Sequence, residues 1–380
     1  MIDFASALYL GLAHPAACPG RYTSLTTGVP AALAAAPLAG ELAARAAALQ
    51  GCEAGVAAPS TLHLAIDVFD RLGRTHTLVA DDGLYPVMRW GLERARGLGA
   101  PLAWFTHGNL AELVRTLGAV VPQQPARPPA IITDATLRTG ATVALPAYLA
   151  AAAAHGGLVV IDHSQVLGVL GERPHAREPW GHGGGGVLVH AGIAPARPVL
   201  LVASWAKAFG APLATLCGPA ALIGDIVRDG PTQLHCSAAS QAALLAGLDA
   251  IDANRRDGAV LRRKLFRFVH RLRDGLARLA RTALPDLAGT LPLHPMQQIR
   301  LGAPARTLAL HAGLWARGFR TALLRQAGGQ YAMAVIVRAD HRAHDIDDLL
   351  TAMAALARPL PRRSRTTSTD HPLFLEAHHA

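Results

Sequence analysis

Lysine is scarce in this 380-residue sequence, where nearly all of the 36 basic residues are arginine. Charge of any kind is low at 16%, and aromatic residues make up only 5%. Low charge beside 51% hydrophobic residues excludes an intrinsically disordered chain. The four cysteines (Cys18, Cys52, Cys217, Cys236) show neither metal-ligand nor disulfide spacing. That excludes a disulfide-stapled framework and suits a reducing compartment. The most apolar stretch, 141–160, carries Pro146, His155 and Gly156-Gly157, so it reads as a soluble helix and strand and no membrane span is expected. The opening Met1-Ile-Asp-Phe lacks a basic n-region, so no signal peptide and a cytoplasmic location are expected.

The net charge is +10. Such a balance suits either a nucleic-acid surface or anionic small molecules such as phosphates and coenzyme A. The arginines at 262, 263, 267, 271, 273, 278 and 281 fall at helical spacing, and no basic motif is interleaved with aromatics. Nucleic acid is therefore the weaker reading.

Residues 1–36 are irregular, and Leu38 to Gln50 reads as an alanine-rich helix. Seven short apolar runs follow: 54–58, 77–80, 102–105, 130–133, 158–161, 199–203 and 213–217. Helical patterns such as 61–72, 85–98, 110–117 and 146–155 separate most of them. This alternation predicts an α/β fold with a mostly parallel seven-stranded sheet. A long helical stretch, 237 to about 279 and perhaps broken once, leads to a smaller C-terminal α/β unit with strands at 296–301 and 332–337 and helices at 305–317 and 345–357. The expected organisation is an N-terminal segment (1–36) packed on the small domain, a large domain (37–280), a small domain (281–357) and a disordered basic tail (358–380). Gly181-His-Gly-Gly-Gly-Gly186 lacks the strand-before, helix-after context of a phosphate loop and reads as a flexible insertion.

Ligands of such sheets bind beyond the carboxyl ends of the strands, where Asp81, Asp162 and Lys207 fall. Lys207 follows the strand 199–203 and lies in a turn bounded by Gly210. It is either a strand-end lysine reaching for water or a desolvated nucleophilic amine. Asp162 closes Leu158-Val-Val-Ile-Asp162, where an unpartnered carboxylate is costly. It is either a structural cap or the partner of a protonated pyridine nitrogen. A lysine that forms an imine and an acid that holds the ring nitrogen are the pair pyridoxal phosphate requires.

Three stretches carry a family resemblance. Asp3-Phe-Ala-Ser-Ala-Leu-Tyr-Leu-Gly-Leu12 resembles Asn-Phe-Ser-Ser-Asn-Asp-Tyr-Leu-Gly-Leu; Asp162-His-Ser-Gln-Val-Leu-Gly-Val-Leu-Gly171 resembles Asp-Glu-Ala-His-Ser-x-Gly-Val-x-Gly; and Ser204-Trp-Ala-Lys207-Ala-Phe-Gly resembles Thr-x-x-Lys-Ala-x-Gly. These belong to the α-oxoamine synthase group of fold-type I pyridoxal phosphate enzymes, in the class I/II aminotransferase superfamily. The resemblance covers roughly residues 1–357. It implies Lys207 as the Schiff-base lysine, Asp162 as the pyridine-nitrogen partner and Ser204 as a phosphate-binding hydroxyl. Ser60, Thr61 and Leu62 match a Ser-Gly-Phe turn whose amides bind phosphate, consistent with a helix N-terminus as an anion site. Tyr85 falls where the family stacks a histidine on the cofactor ring; as a tyrosine it is either that platform or a core aromatic.

The sequence also departs from the family. The histidine that contacts the cofactor's phenolic oxygen is replaced by Gln165, which still donates a hydrogen bond but cannot titrate. A substrate-side asparagine is Ala7, and the arginine that clamps the substrate carboxylate is Ala334. Arg325, read as lying in the preceding loop, and Arg338, just past that strand, are the alternatives. The family's N-terminal arm, with another substrate arginine, is expected to have no counterpart here. The resemblance implies condensation of an amino acid with an acyl thioester of coenzyme A or an acyl carrier protein, with decarboxylation. The alternative is an aminotransferase acting on an amine or amino acid. A homodimer is expected by resemblance.

Overall fold

In a computed structural model the described residues are 1–357 and 374–375, without 15–19, 23, 30–33, 35, 138–139, 195–197, 289–290 and 327–328. The chain opens with β1 (Ile2–Asp3) and then builds the larger of two compact units, residues 12–137 and 142–259. Its elements are α1 (Ala39–Gln50), β2 (Ala54–Ala58), α2 (Thr61–Leu72), β3 (Thr77–Asp81), α3 (Pro86–Gly97), β4 (Leu102–Phe105), α4 (Leu110–Val120) and β5 (Pro129–Asp134). After these come α5 (Leu145–Ala153), β6 (Leu158–Asp162), α6 (Val187–His190), β7 (Val199–Ser204), β8 (Ala214–Gly218), α7 (Ala220–Asp229) and α8 (Pro231–His235). Each of the seven apolar runs read from the sequence is a strand of one sheet, in the order β2-β8-β7-β6-β5-β3-β4.

Only β8 runs against the others: β3–β4, β3–β5, β5–β6 and β6–β7 pair in parallel, and β8 pairs antiparallel with both β7 and β2. β3, β6 and β8 are buried at every position, which is why they read as continuous apolar runs rather than alternating ones. On one face Leu64, Val68, Phe69 and Leu72 of α2 and Met88, Leu92 and Ala95 of α3 close over Leu78, Ile132, Val160, Val202 and Leu216. Burying each large apolar side chain contributes roughly 1.5–3 kcal/mol. The two helices meet at Gly91, where an added Cβ would stand 2.9 Å from both Ala65 Cβ and the Phe69 ring.

α9 (Gln241–Arg281) is one unbroken helix of 41 residues. Residues 1–11, 138–141 and 260 onward form the second unit, so the division falls inside α9 rather than at residue 280. Of the N-terminal segment only residues 1–11 group with this smaller unit. It contains β9 (Met296–Ile299), α10 (Pro304–Ala316), β10 (Phe319–Arg320), β11 (Ala322–Gln326), β12 (Gln330–Ile336) and α11 (Ala343–Ala357). β1 pairs in parallel with β10, and β11 and β9 flank β12 antiparallel. β13 (Phe374–Leu375) pairs with Leu323 and Leu324, so this part of the basic tail is a strand where composition predicts disorder. Residues 358–373 and 376–380 lie outside the described residues.

The glycine-rich stretch differs from its expectation as a flexible insertion. Gly168 N–H donates to Gly184 O (2.7 Å), Gly186 N–H to Leu170 O (2.8 Å) and Asn254 Nδ2 to Gly183 O (2.8 Å). Added Cβ atoms would lie 2.1 Å from Leu49 O at Gly185 and 2.4 Å from His163 Nδ1 at Gly186. These glycines permit close approach, and the segment is fixed.

Candidate active site

Because β3, β5, β6 and β7 run in parallel, Asp81, Asp134, Asp162 and Ser204 close them on one edge of the sheet. Asp134 and Asp162 stand opposite each other in register. The two antiparallel pairings of β8 put Ala58, Ala214 and Ser204 in one row. The N-terminus of α2, at Ser60, Thr61 and Leu62, thus emerges two strands from Ser204, about 10 Å at ordinary strand spacing. Ser60 is the N-cap of α2, and its hydroxyl pairs with His63 Nδ1 at 2.8 Å rather than capping the helix.

Lys207 lies three residues past β7, in a short loop whose base is closed by Trp205 N–H to Leu213 O (2.9 Å) and Ala211 N–H to Trp205 O (3.0 Å). Trp205 is fully buried, and its indole N–H donates to Thr215 Oγ1 at 2.9 Å. The Lys207 Nζ stands 5.8 Å from the centroid of the Tyr85 ring. Burial pushes the Lys207 ammonium pKa below its ordinary value, and the carboxylates of Asp162 and Asp134 pull it back. Tyr85 is not a core aromatic. It is 56% exposed, at the N-cap of α3, with its ring free to present a face.

Asp162 Oδ1 accepts the Ser164 N–H at 2.9 Å, and Ser164 Oγ in turn accepts the Ser204 N–H at 2.8 Å. Asp162 Oδ2 takes no hydrogen bond among the described residues. Gln165 lies in the turn after β6. Asp81 is a structural hub: it is fully buried and accepts from Gly83 N, Gly108 N and Thr133 Oγ1, and its Oδ1 lies 2.7 Å from His107 Nδ1.

Asp134 escapes the sequence reading, although it closes an apolar run just as Asp162 does. Its Oδ1 is buried without a hydrogen-bond partner. Burial, then the charges of Asp162 and Asp81, push its carboxyl pKa well up, while Lys207 and the Tyr85 main-chain amide oppose this. His163 is a second hidden group. Its Nε2 lies 2.9 Å from Gln50 Oε1, so the proton sits on Nε2 and the buried Nδ1 has no partner. Burial pushes its pKa down to about 3, so the ring is neutral.

The remaining positions belong to the smaller unit. Arg338 is committed to carboxylates, with Nε and Nη2 each 3.0 Å from Asp340 and Nη1 3.7 Å from Asp3 Oδ2. Arg325 lies on β11 opposite Tyr331, exposed, and not in a loop as the sequence suggests. Ala334 is buried in mid-β12 between Ala322 and Gln298. Ala7 precedes a turn closed by Tyr9 N–H to Ala7 O at 2.7 Å.

A family model for class I and II aminotransferases matches residues 138–334. An 8-amino-7-oxononanoate synthase from Halorhodospira halophila is 31% identical over 324 residues, which is 84% of this chain and 75% of that protein. Among solved structures, 8-amino-7-oxononanoate synthase from Francisella tularensis superposes with a TM-score of 0.73 at 16% identity, covering 93% of this chain and 97% of that one. A serine palmitoyltransferase from Sphingomonas wittichii gives 0.78 at 16% identity, covering 93% and 86%. No helix among the described residues is long and apolar enough to cross a membrane. With the strand-end carboxylates, the lysine loop and these similarities together, the chain belongs to the class I and II aminotransferase family of fold-type I pyridoxal phosphate enzymes, in its α-oxoamine synthase group.

Proposed function

We propose that the chain condenses an amino acid with an acyl thioester, releasing carbon dioxide and the free thiol. The observation that carries this reading is Lys207, held in a closed loop beside an exposed Tyr85 ring and coupled electrostatically to Asp162 and Asp134. The proteins it resembles are named as a synthase and a palmitoyltransferase.

The residues fit pyridoxal phosphate. Asp162 keeps Oδ2 for a pyridinium N–H while Oδ1 is anchored by Ser164. The first amides of α2, at Ser60, Thr61 and Leu62, and the Ser204 hydroxyl suit a phosphate. Tyr85 offers a ring face, and Gln165 a donor for the phenolic oxygen. When bound, the cofactor draws electron density from the carbon that bears the substrate amine. Lys207 is the proton carrier at that carbon: its lowered pKa leaves a neutral fraction able to accept a proton and return it. Asp162 would accept the ring N–H and so hold that nitrogen in its protonated form. Asp134, held towards its neutral form, limits the negative charge next to it.

The acyl donor in this reading is a coenzyme A or carrier-protein thioester, and the net charge of +10 suits such an anion. A cytoplasmic homodimer is the assembly that the family implies. The test is incubation with single amino acids and acyl-coenzyme A, followed for free thiol and carbon dioxide. Their appearance in wild type, and a fall of roughly 10²–10⁴-fold in Lys207→Ala, is the expected result. Thioester-independent transfer of the amino group to a 2-oxo acid, with no thiol released, overturns it. That outcome is the second reading, an aminotransferase, which Ala334 favours because a buried methyl group offers a substrate carboxylate no charge.

A further inference from the structure

The segment leading into the glycine-rich stretch is a small hairpin with its own cluster of ligating side chains. Glu172 and His182 exchange both main-chain hydrogen bonds, at 2.9 and 2.8 Å, and within that frame His175 and Glu178 do the same, at 3.2 and 2.9 Å. Arg173 takes a left-handed conformation, with φ 52°, to turn the chain. This backbone brings His175 Nε2 within 3.8 Å and His182 Nε2 within 3.1 Å of the same carboxylate oxygen, Glu178 Oε2. One ligating atom of each of the three residues lies within 4.8 Å of the other two.

Two ligands of one tetrahedral zinc ion stand about 3.3 Å apart, given zinc–nitrogen and zinc–oxygen bonds near 2.0–2.1 Å. The two observed separations bracket that value. The side chains are partly exposed, so the small closing movement meets no packed core. Two imidazoles with one carboxylate suit borderline transition metals and disfavour magnesium and calcium, which take oxygen ligands.

We propose that His175, Glu178 and His182 bind a divalent transition-metal ion of the zinc type, with water completing the coordination. The metal takes the Nε2 lone pairs, so each ring carries its proton on Nδ1, and the weak 3.3 Å bond from Arg177 N–H to His175 Nδ1 is given up. The ion ties the two arms of the hairpin together. Its base is already fastened by Gly171 N–H to Trp180 O and Gly168 N–H to Gly184 O, both 2.7 Å. The clamped segment is thus continuous with the turn that follows Asp162.

The test uses the holoenzyme, freed of adventitious metal by a chelator and titrated with zinc by calorimetry. One saturable equivalent is expected in wild type, weakened about tenfold or more in His182→Ala and in Glu178→Gln. Hydrogen–deuterium exchange of wild type should slow within residues 172–182 when zinc is added. Equal isotherms for wild type and both variants overturn the proposal, as does the absence of a saturable equivalent. Protection outside 172–182 alone also overturns it, and this reading needs no variant to fold.

Discussion

Asp134 and Asp162 close adjacent parallel strands and face each other in register, so two carboxyl groups share one end of the sheet beside a single lysine. Two like charges in a poorly solvated place cannot both be ionised cheaply. The cost falls on Asp134, whose Oδ1 has no partner, while Asp162 is anchored by the Ser164 amide.

Asp134→Asn is therefore expected to stabilise the cofactor-free protein at neutral pH. Asp134 has a folded pKa above the ordinary value of 3.8, so between those two values the folded state binds more protons than the unfolded one. Wild-type stability falls as pH rises through that window and is level above it. The gain from the substitution should vanish below the ordinary value, grow through the window and then stay constant. Urea denaturation across pH reads this directly, and a gain independent of pH would falsify the assignment.

The role proposed for Tyr85 belongs to its ring rather than its hydroxyl. Tyr85→Phe should bind the cofactor as wild type does, and Tyr85→Ala should bind it roughly three- to tenfold more weakly, the worth of one aromatic stacking contact. Spectroscopic titration of apo-protein checks this. Equal weakening in both variants points to the hydroxyl instead.

Gly186→Ala meets two obstacles together, a φ of +92° and a Cβ only 2.4 Å from His163 Nδ1. A loss of ~2–4 kcal/mol is expected in chemical denaturation. Gly97→Ala, with open space around its Cβ, is the control and should change stability little.

The two arginines proposed for a substrate carboxylate should behave differently. Arg338 is already paired with Asp340 and Asp3, so Arg338→Ala is expected to lower thermal stability of the smaller unit. Arg325→Ala is expected to raise the KM for the amino acid about tenfold, the worth of a charge-assisted contact. An unchanged KM in both variants would mean that the amine substrate carries no carboxylate to hold.

The central strands β3, β6 and β8 were legible because strands covered on both faces need unbroken apolar runs, the half-buried edge strands β2 and β4 because they are short apolar runs set between helical patterns, and the end of β6 because Asp162 interrupts its run. Asp134 was missed because its strand reads as ending at Thr133, and a carboxylate one residue on looks like loop. Residues 181–186 were misread because glycine signals freedom and close approach alike; only the neighbours Leu49 and His163 decide between them. Arg325 was placed in a loop because β11 is a five-residue strand whose last positions are partly or fully exposed, leaving little apolar pattern to read.

The Lys207 loop begins and ends on one rung of the sheet, Ser204 opposite Ala214. A free segment of that length would have to surrender its conformational entropy each time it engaged a ligand, about 1–2 kcal/mol for every residue fixed. Here that loss is incurred once, when the sheet forms. In the role proposed for Lys207, cofactor association would begin with the amine already in position, so tight holding would demand few further contacts.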